Sequence, residues 1–520
     1  MPAASGPPRT SPQTSQTGVA GPAGTLGSAY PAGSPGLSDA LTDELAADVA
    51  ARVRALMPRA LADLAELVAL PSVFDPKTGP SAECVRAADL VAAALRDAGL
   101  PDVQLVETPD GSTAVVAHRP GRAVGPAARN GPNDPAANNG PNDPAAENPP
   151  TVLLYAHYDV QPAGDDTGWD SPPFALTERD GRWYGRGAAD CKGNLMAHLT
   201  ALRTVGDAPA VGIKVIVEGS EEQGTGGLER FVEQHPDVLA ADTIVICDSG
   251  NVAVGVPTMT TALRGMVSAV VRVTTGTSGM HSGTFGGPTP DALLALVAML
   301  ATLHNEAGDV TITGLANGGV WDGESYPEDQ LRTDAHVLPG VDLLGSGTVA
   351  DQLWARPALT VIGIEAPPLT GAPSAVQPHA AARLNLRVPP GVDPRAAFEL
   401  LADHLRAAAP WHVEVEVTLE GVGAPFRAST AGRGYQAMAA AMALAYGRPV
   451  TTAGQGGAIP LCNTFARTYP DAEIMLIGVA EPACLMHAPN ESVAPSEIEQ
   501  VALAEALFLL GYPATPAARK

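Results

Sequence analysis

The sequence predicts an α/β protein whose mainly parallel mixed sheet carries helices on its faces and is interrupted by a smaller inserted α+β domain. Three observations carry this expectation. Short Val/Ile/Leu-rich runs, TVLLYAH at 151–157, VGIKVIV at 211–217 and TIVICDS at 243–249, alternate with helical patterns. Apolar runs of that kind are buried on both faces, as strands of parallel sheets are. Between 263 and 387 the pattern changes to GMVSAVVRVTTG, the helical PTPDALLALVAMLATLH, ALTVIGIEA and AARLNLRVPP, which read as two-faced strands around one long helix. A chain of 520 residues also exceeds one ordinary core, so more than one domain is expected.

The elements follow in order. Residues 1–37 are Pro, Gly, Ser, Thr and Ala with almost no large apolar side chain, and cannot bury enough surface to offset the entropy of ordering. They are expected to form a disordered tail. The stretch 37–70 has helical periodicity, with Ser38 or Thr42 as N-cap and Pro71 as its stop. Strand-like STAVVAH precedes a low-complexity piece at 120–150, which holds the tandem NGPNDPAAN and NGPNDPAAE. Two turn-rich copies make a flexible surface insertion, not a solenoid. Lengthening a loop there costs little. Helices are expected near 193–205 and 228–234, and the chain closes with the strand EIMLIGV and the helix SEIEQVALAEALFLLG. The domain boundaries predicted are 38–262 and 389–520 for the larger domain and 263–388 for the insertion.

Bulk properties exclude several function classes. The formal charge of −25, from 31 basic and 56 acidic residues, argues against nucleic acid, because phosphate binding needs a cationic face. A small soluble substrate fits better. The five cysteines (Cys84, Cys191, Cys247, Cys462 and Cys484) are scattered and show no CxxC spacing, which predicts neither a disulfide framework nor a thiolate zinc site. No segment reaches the roughly 18 apolar residues of a membrane span, and MPAASGPPRTSPQTSQTG lacks a leader pattern. The expectation is a cytoplasmic protein with no membrane partner.

Metal-type side chains collect at the carboxyl ends of the predicted strands, where such sheets bind ligands. LLYAHYDVQP presents His157 and Asp159, and IVICDSG presents Asp248. VEGSEEQGTGG carries Glu221 and Glu222, the turn YGRGAADCKGN carries Asp190, and CLMHAPNES carries His487. Carboxylates gathered without Lys or Arg would repel by about 4 kcal/mol per pair at 4 Å and an effective dielectric of 20. Cations must balance them. If His157, Asp190, Glu222, Asp248 and His487 are all ligands, one carboxylate bridges two divalent ions, and Asp190 is placed for it. Glu221 is then left over to take a proton from an activated water and pass it to a leaving nitrogen. Asp159 is placed to accept the second ring N–H of His157 and set its tautomer.

HYDVQP, GRGAADCKGN, EGSEEQGTGG, CDSG and CLMHAPNE, in that order and with SGMHSGTFGG in the inserted domain, resemble the M20 family of di-zinc metallopeptidases and amidohydrolases. Within it the chain looks most like the dipeptidase and carnosinase branch, over roughly residues 40 to 515. The resemblance implies an aminopeptidase-like catalytic domain with an inserted lid and dimerisation domain, two divalent ions (zinc, with manganese or cobalt as alternatives) and a homodimer. It further implies that His157 and Asp248 hold one ion, Glu222 and His487 the other, Asp190 bridges, Glu221 is the general base and Asp159 orients. His281 would reach the partner subunit's site to stabilise the oxyanion. Arg387 would grip the substrate carboxylate with help from the amides of Gly456 and Gly457. A non-proline cis bond is implied at Asp190–Cys191, with Cys191 structural. Ala458 and Ala375 stand where relatives often present a polar side chain. The function implied is hydrolysis of a dipeptide or short peptide. The alternatives are an N-acyl amino acid deacylase with the same site, and a non-catalytic relative serving as a binding module.

Overall fold

The computed structural model describes residues 42–122, 149–457 and 459–512. The expected tail at 1–37, the N-cap Ser38, the tandem repeat and Ala458 lie outside the described residues. The first helix, Asp43–Val68, starts at Thr42, whose hydroxyl accepts from the Leu45 amide at 3.2 Å.

The main sheet runs in the order Asp102–Glu107, Thr113–Arg119, Gly212–Glu218, Thr151–His157, Thr243–Cys247, Glu473–Ile477, Thr258–Leu263, Phe426–Arg427, with Thr451–Gln455 also on Thr258–Leu263. Its centre is parallel: Thr151–His157 lies between Gly212–Glu218 and Thr243–Cys247, and Glu473–Ile477 continues the set. Alternate residues of the central strand serve opposite cores. Val152, Leu154 and Ala156 pack with the helices Asp43–Val68, Lys192–Val205, Arg433–Tyr446 and Pro495–Gly511, whereas Leu153 and Tyr155 pack with Leu228, Phe231, Leu461 and Phe465 beneath the other face. Both faces being covered explains why these strands read as unbroken apolar runs.

The smaller layer is an antiparallel sheet, Ala358–Glu365, His379–Val388, Gly265–Thr274 and Glu414–Gly423, covered on one side by Ala292–Leu300 and Pro394–Ala407. Here one sequence expectation is corrected. The insertion does not end at 388: the helix Pro394–Ala407 buries Ala397, Leu401 and Leu405 in this layer's core, and Glu414–Gly423 pairs along Gly265–Thr274. The chain returns to the main sheet at Phe426. A helix followed by a strand is what either layer would need, so composition at 389–423 does not distinguish them. A further apolar cluster joins Trp321 and Trp354 of the insertion to Ala262 and Ala453 on main-sheet strands.

Candidate metal centre

Strand ends and the turns after them bring the acidic and histidine side chains together. His157 is the last residue of Thr151–His157 and is fully buried. Its Nδ1 sits 3.1 Å from the Asp159 carbonyl and 3.4 Å from Asp159 Oδ1, leaving Nε2 for Asp190 Oδ1 at 3.0 Å and Asp248 Oδ1 at 3.4 Å. His487, held at φ +64°, directs Nε2 to Asp190 Oδ2 at 3.0 Å and Glu222 Oε2 at 3.1 Å. The two oxygens of Asp190 therefore face different histidines. Glu221 Oε2 lies 4.0 Å from His157 Nε2. The Asp190–Cys191 peptide is cis.

Asp159 has a second task that sequence reasoning missed. Its two oxygens accept the backbone N–H groups of Glu221 and Glu222, each at 3.1 Å, and so hold the turn bearing both glutamates. Gln161 Nε2 donates to Glu222 Oε2 at 3.0 Å. Glu491 is a deeper anchor: fully buried, it accepts from the amides of Gly187, Ala189 and Asp190 and from Arg186 at 2.7–3.1 Å. It thereby ties the His487 loop to the Asp190 turn. Its place four residues after His487 in HAPNE was the available signal.

Among the described residues Asp190, Glu222 and Asp248 make ion pairs with histidine alone. The neighbouring buried Lys192 turns away, donating to the carbonyls of Leu67 and Leu70 at 2.9 and 3.0 Å. Without a cation the imidazoles carry the compensating charge: hydrogen bonds to Asp190 and Glu222 push His487 up to about 10. Burial raises Asp248 to about 6 against the pull of His157. Burial, reinforced by the charge on Asp248, holds Glu221 well above the usual carboxylate range. Carboxylate and imidazole donors in two adjacent groups suit divalent ions such as zinc, manganese or cobalt, so the residues present fit the implied metals. Cys191 also lies near His157 and Asp248, but its sulfur donates to the Cys247 carbonyl at 3.1 Å, and burial pushes its thiol up to about 11.

Beside these groups opens a cavity of about 370 Å³, lined among others by Tyr155, Glu218, Glu221, Glu222, Ile459 and His487. Gly456 stands at the loop leading into its wall, and a Cβ there would come 3.0 Å from the guanidinium of Arg264. Gly457 faces open space. Arg387 is half-buried and forms no ion pair among the described residues. Arg264, unrecognised from sequence, links Leu263 of the main sheet to Gly265 of the smaller one; burial and the charge of Arg387 lower it to about 10. Among the described residues neither guanidinium forms an ion pair with an acid, which leaves both available to an anion. His281 is not brought to the centre of its own chain. It is exposed, its backbone pairs with Ala375, and its one side-chain hydrogen-bond contact among the described residues is Thr284, at 3.4 Å.

Residues 153–510 match peptidase family M20/M25/M40. The chain belongs to that family. It is 46% identical over 369 residues to the cysteinylglycine-S-conjugate dipeptidase of Corynebacterium striatum, covering 70% of this chain and 81% of that protein. It is 28% identical to the human beta-Ala-His dipeptidase across 69% of this chain and 74% of the relative. Human carnosine dipeptidase 1 superposes with a TM-score of 0.71 at 25% identity, covering 90% of this chain and 98% of that one. The chain is thus an M20 metallopeptidase of the dipeptidase branch. Among its described residues no helix is long and apolar enough to cross a membrane.

Proposed function

We propose that this M20 enzyme hydrolyses the peptide bond of dipeptides carrying a free amino terminus, using two divalent ions of which zinc is the first choice. The observation that supports it most directly is the Asp190 carboxylate, shared at 3.0 Å between the Nε2 atoms of His157 and His487. In this reading His157 and Asp248 would hold one ion and Glu222 and His487 the other, with Asp190 available to both. When bound, such ions supply Lewis acidity, polarising the scissile carbonyl and lowering the pKa of water. Glu221 takes the proton of the attacking water and delivers it to the departing amine. Asp159 keeps His157 in the tautomer that presents Nε2. Arg387, Arg264 and the amides of Gly456 and Gly457 receive the substrate carboxylate.

Relatives that act on cysteinylglycine conjugates and on beta-Ala-His support a dipeptide substrate. The decisive assay gives the purified protein cysteinylglycine, beta-Ala-His and their N-acetylated forms, before and after chelation. Turnover of the free dipeptides, lost on chelation and restored by zinc or manganese, is expected. Preference for the N-acylated compounds would instead make the chain a deacylase, and no turnover of either would leave a binding module.

A homodimer through the smaller layer is supported by its outer surface. The edge strand Ala358–Glu365 exposes Val361, Ile362 and Ile364, and the helix Ala292–Leu300 exposes Leu294 and Val297. Exposed apolar side chains of this kind are what an interface between two copies would bury. Paired there, His281 of the partner subunit would stabilise the oxyanion. Val297→Asp with Ile362→Asp is expected to yield monomers by light scattering, with turnover reduced about as far as in His281→Ala. Active monomers would sink this assignment. Five buried, unpaired cysteines support a reducing compartment such as the cytoplasm.

The pKa shifts set a pH dependence for metal-free protein. His487 is raised from 6.5 to about 10, so its ion pairs contribute fully below pH 6.5 and are lost as pH climbs through about 10. Metal binding must displace that proton and is favoured in the opposite direction. The gap in Tm between metal-loaded and metal-free protein should therefore widen as pH rises over that window; a constant gap would contradict the ligand role of His487.

A further inference from the structure

One carboxylate outside the metal centre is bonded to both ends of the loop that carries Glu221. Asp110 lies in the tight turn between Asp102–Glu107 and Thr113–Arg119, where Gly111 takes φ +84°. Its Oδ1 accepts the Thr108 hydroxyl at 2.6 Å and the Ser112 amide at 3.1 Å. Its Oδ2 accepts the Ser220 hydroxyl at 2.7 Å and the Thr225 hydroxyl. Ser220 immediately precedes Glu221 and Thr225 follows Glu222 by three residues. Ser112 Oγ closes the network, 2.9 Å from Ser220 Oγ and 2.6 Å from Thr108 Oγ1, and all three hydroxyl residues are buried.

Two further facts show a fitted arrangement. A Cβ on Gly227 would come 2.4 Å from the Asp110 carboxyl group, so only glycine lets the loop close over it. Burial opposes ionisation of Asp110, yet the hydroxyls of Thr108, Thr225 and Ser220 outweigh it and pull the group down to about 2. It is therefore an acceptor at any working pH.

Asp159 holds the amides of Glu221 and Glu222 from the His157 side of the turn; Asp110 holds the flanking hydroxyls from the hairpin side. With the backbone tied at both places, Glu221 has only its own side-chain torsions with which to wander. We propose that Asp110 is a positioning residue for Glu221, setting through Ser220 and Thr225 the place from which that carboxylate reaches the attacking water. The proposal rests on the reading of Glu221 as general base.

Misplacing a catalytic group by about 1 Å can cost about 100-fold in rate. The test is a double-mutant cycle on hydrolysis of cysteinylglycine at saturating metal, with metal content measured for each variant. Asp110→Ala should lower kcat by about 10- to 100-fold, change KM by less than about threefold and keep two metals per chain. Asp110→Asn should recover most of the loss, because its carbonyl still accepts and the hydroxyls can rotate. Combined with Glu221→Gln, Asp110→Ala should add less than about twofold, since a residue acting through Glu221 has nothing left to place. Multiplied losses in the double variant, loss of metal in Asp110→Ala, or unchanged kcat would each overturn the proposal. Should Asp110→Ala not fold, Ser220→Ala and Thr225→Val enter the same cycle. Full activity in Glu221→Gln alone would instead overturn the base assignment, an outcome visible before the double variant is made.

Discussion

Glu221→Gln is expected to retain two metals per chain and lose at least about 100-fold in kcat, the usual scale for removing a general base. The substitution keeps the shape of the side chain and removes only its capacity to hold a proton. Glu221 is well suited to such isolation: its nearest histidine atom is 4.0 Å away, against 3.0–3.4 Å for Asp190 and Asp248, so it is the acid least committed to the imidazoles. The Asp159 bonds to the amides of Glu221 and Glu222 do not depend on the side chain and should persist. Elemental analysis beside steady-state kinetics checks the expectation. Loss of one metal would make Glu221 a ligand, and retained turnover would leave the water without its base.

The second large effect is on stability. Glu491→Ala is expected to destabilise the fold by about 3–5 kcal/mol, the cost of orphaning one member of a buried ion pair. Arg186 would be left 1% exposed without its carboxylate, and the amides of Gly187, Ala189 and Asp190 would lose their acceptor. Because those amides position Asp190, metal occupancy should fall as well. The pair Arg186→Met with Glu491→Leu should lose less stability than Glu491→Ala alone, since no buried charge is stranded. Urea unfolding of all three proteins decides it; a double variant no more stable than the single would show that loss of the amide acceptor, common to both, outweighs the stranded charge.

Much of the fold was legible because its signals are local. Strand runs such as TVLLYAH and TIVICDS alternate their two faces between two buried cores, and burial on both sides favours apolar residues at consecutive positions such as Val152, Leu153 and Leu154 or Ile244, Val245 and Ile246. Residues at and just after the ends of those strands necessarily emerge at one edge of a parallel sheet, which is why His157, Glu222 and Asp248 can be grouped from the sequence. The end of the insertion was not legible. Residues 394–407 form an amphipathic helix that either sheet could bury, and only its packing of Ala397, Leu401 and Leu405 assigns it to the smaller layer.

By itself the sequence determined which side chains have metal-binding chemistry, their order at the strand ends, and membership in a hydrolase family through motifs a few residues long. Tertiary structure alone decided that one Asp190 oxygen faces each histidine, and that Asp110 and Glu491 anchor the turns. Those contacts join residues as far apart as the 304 positions between Gly187 and Glu491. A hydrogen bond across such a separation depends on where two layers pack, and leaves no periodicity or spacing in the chain to be read.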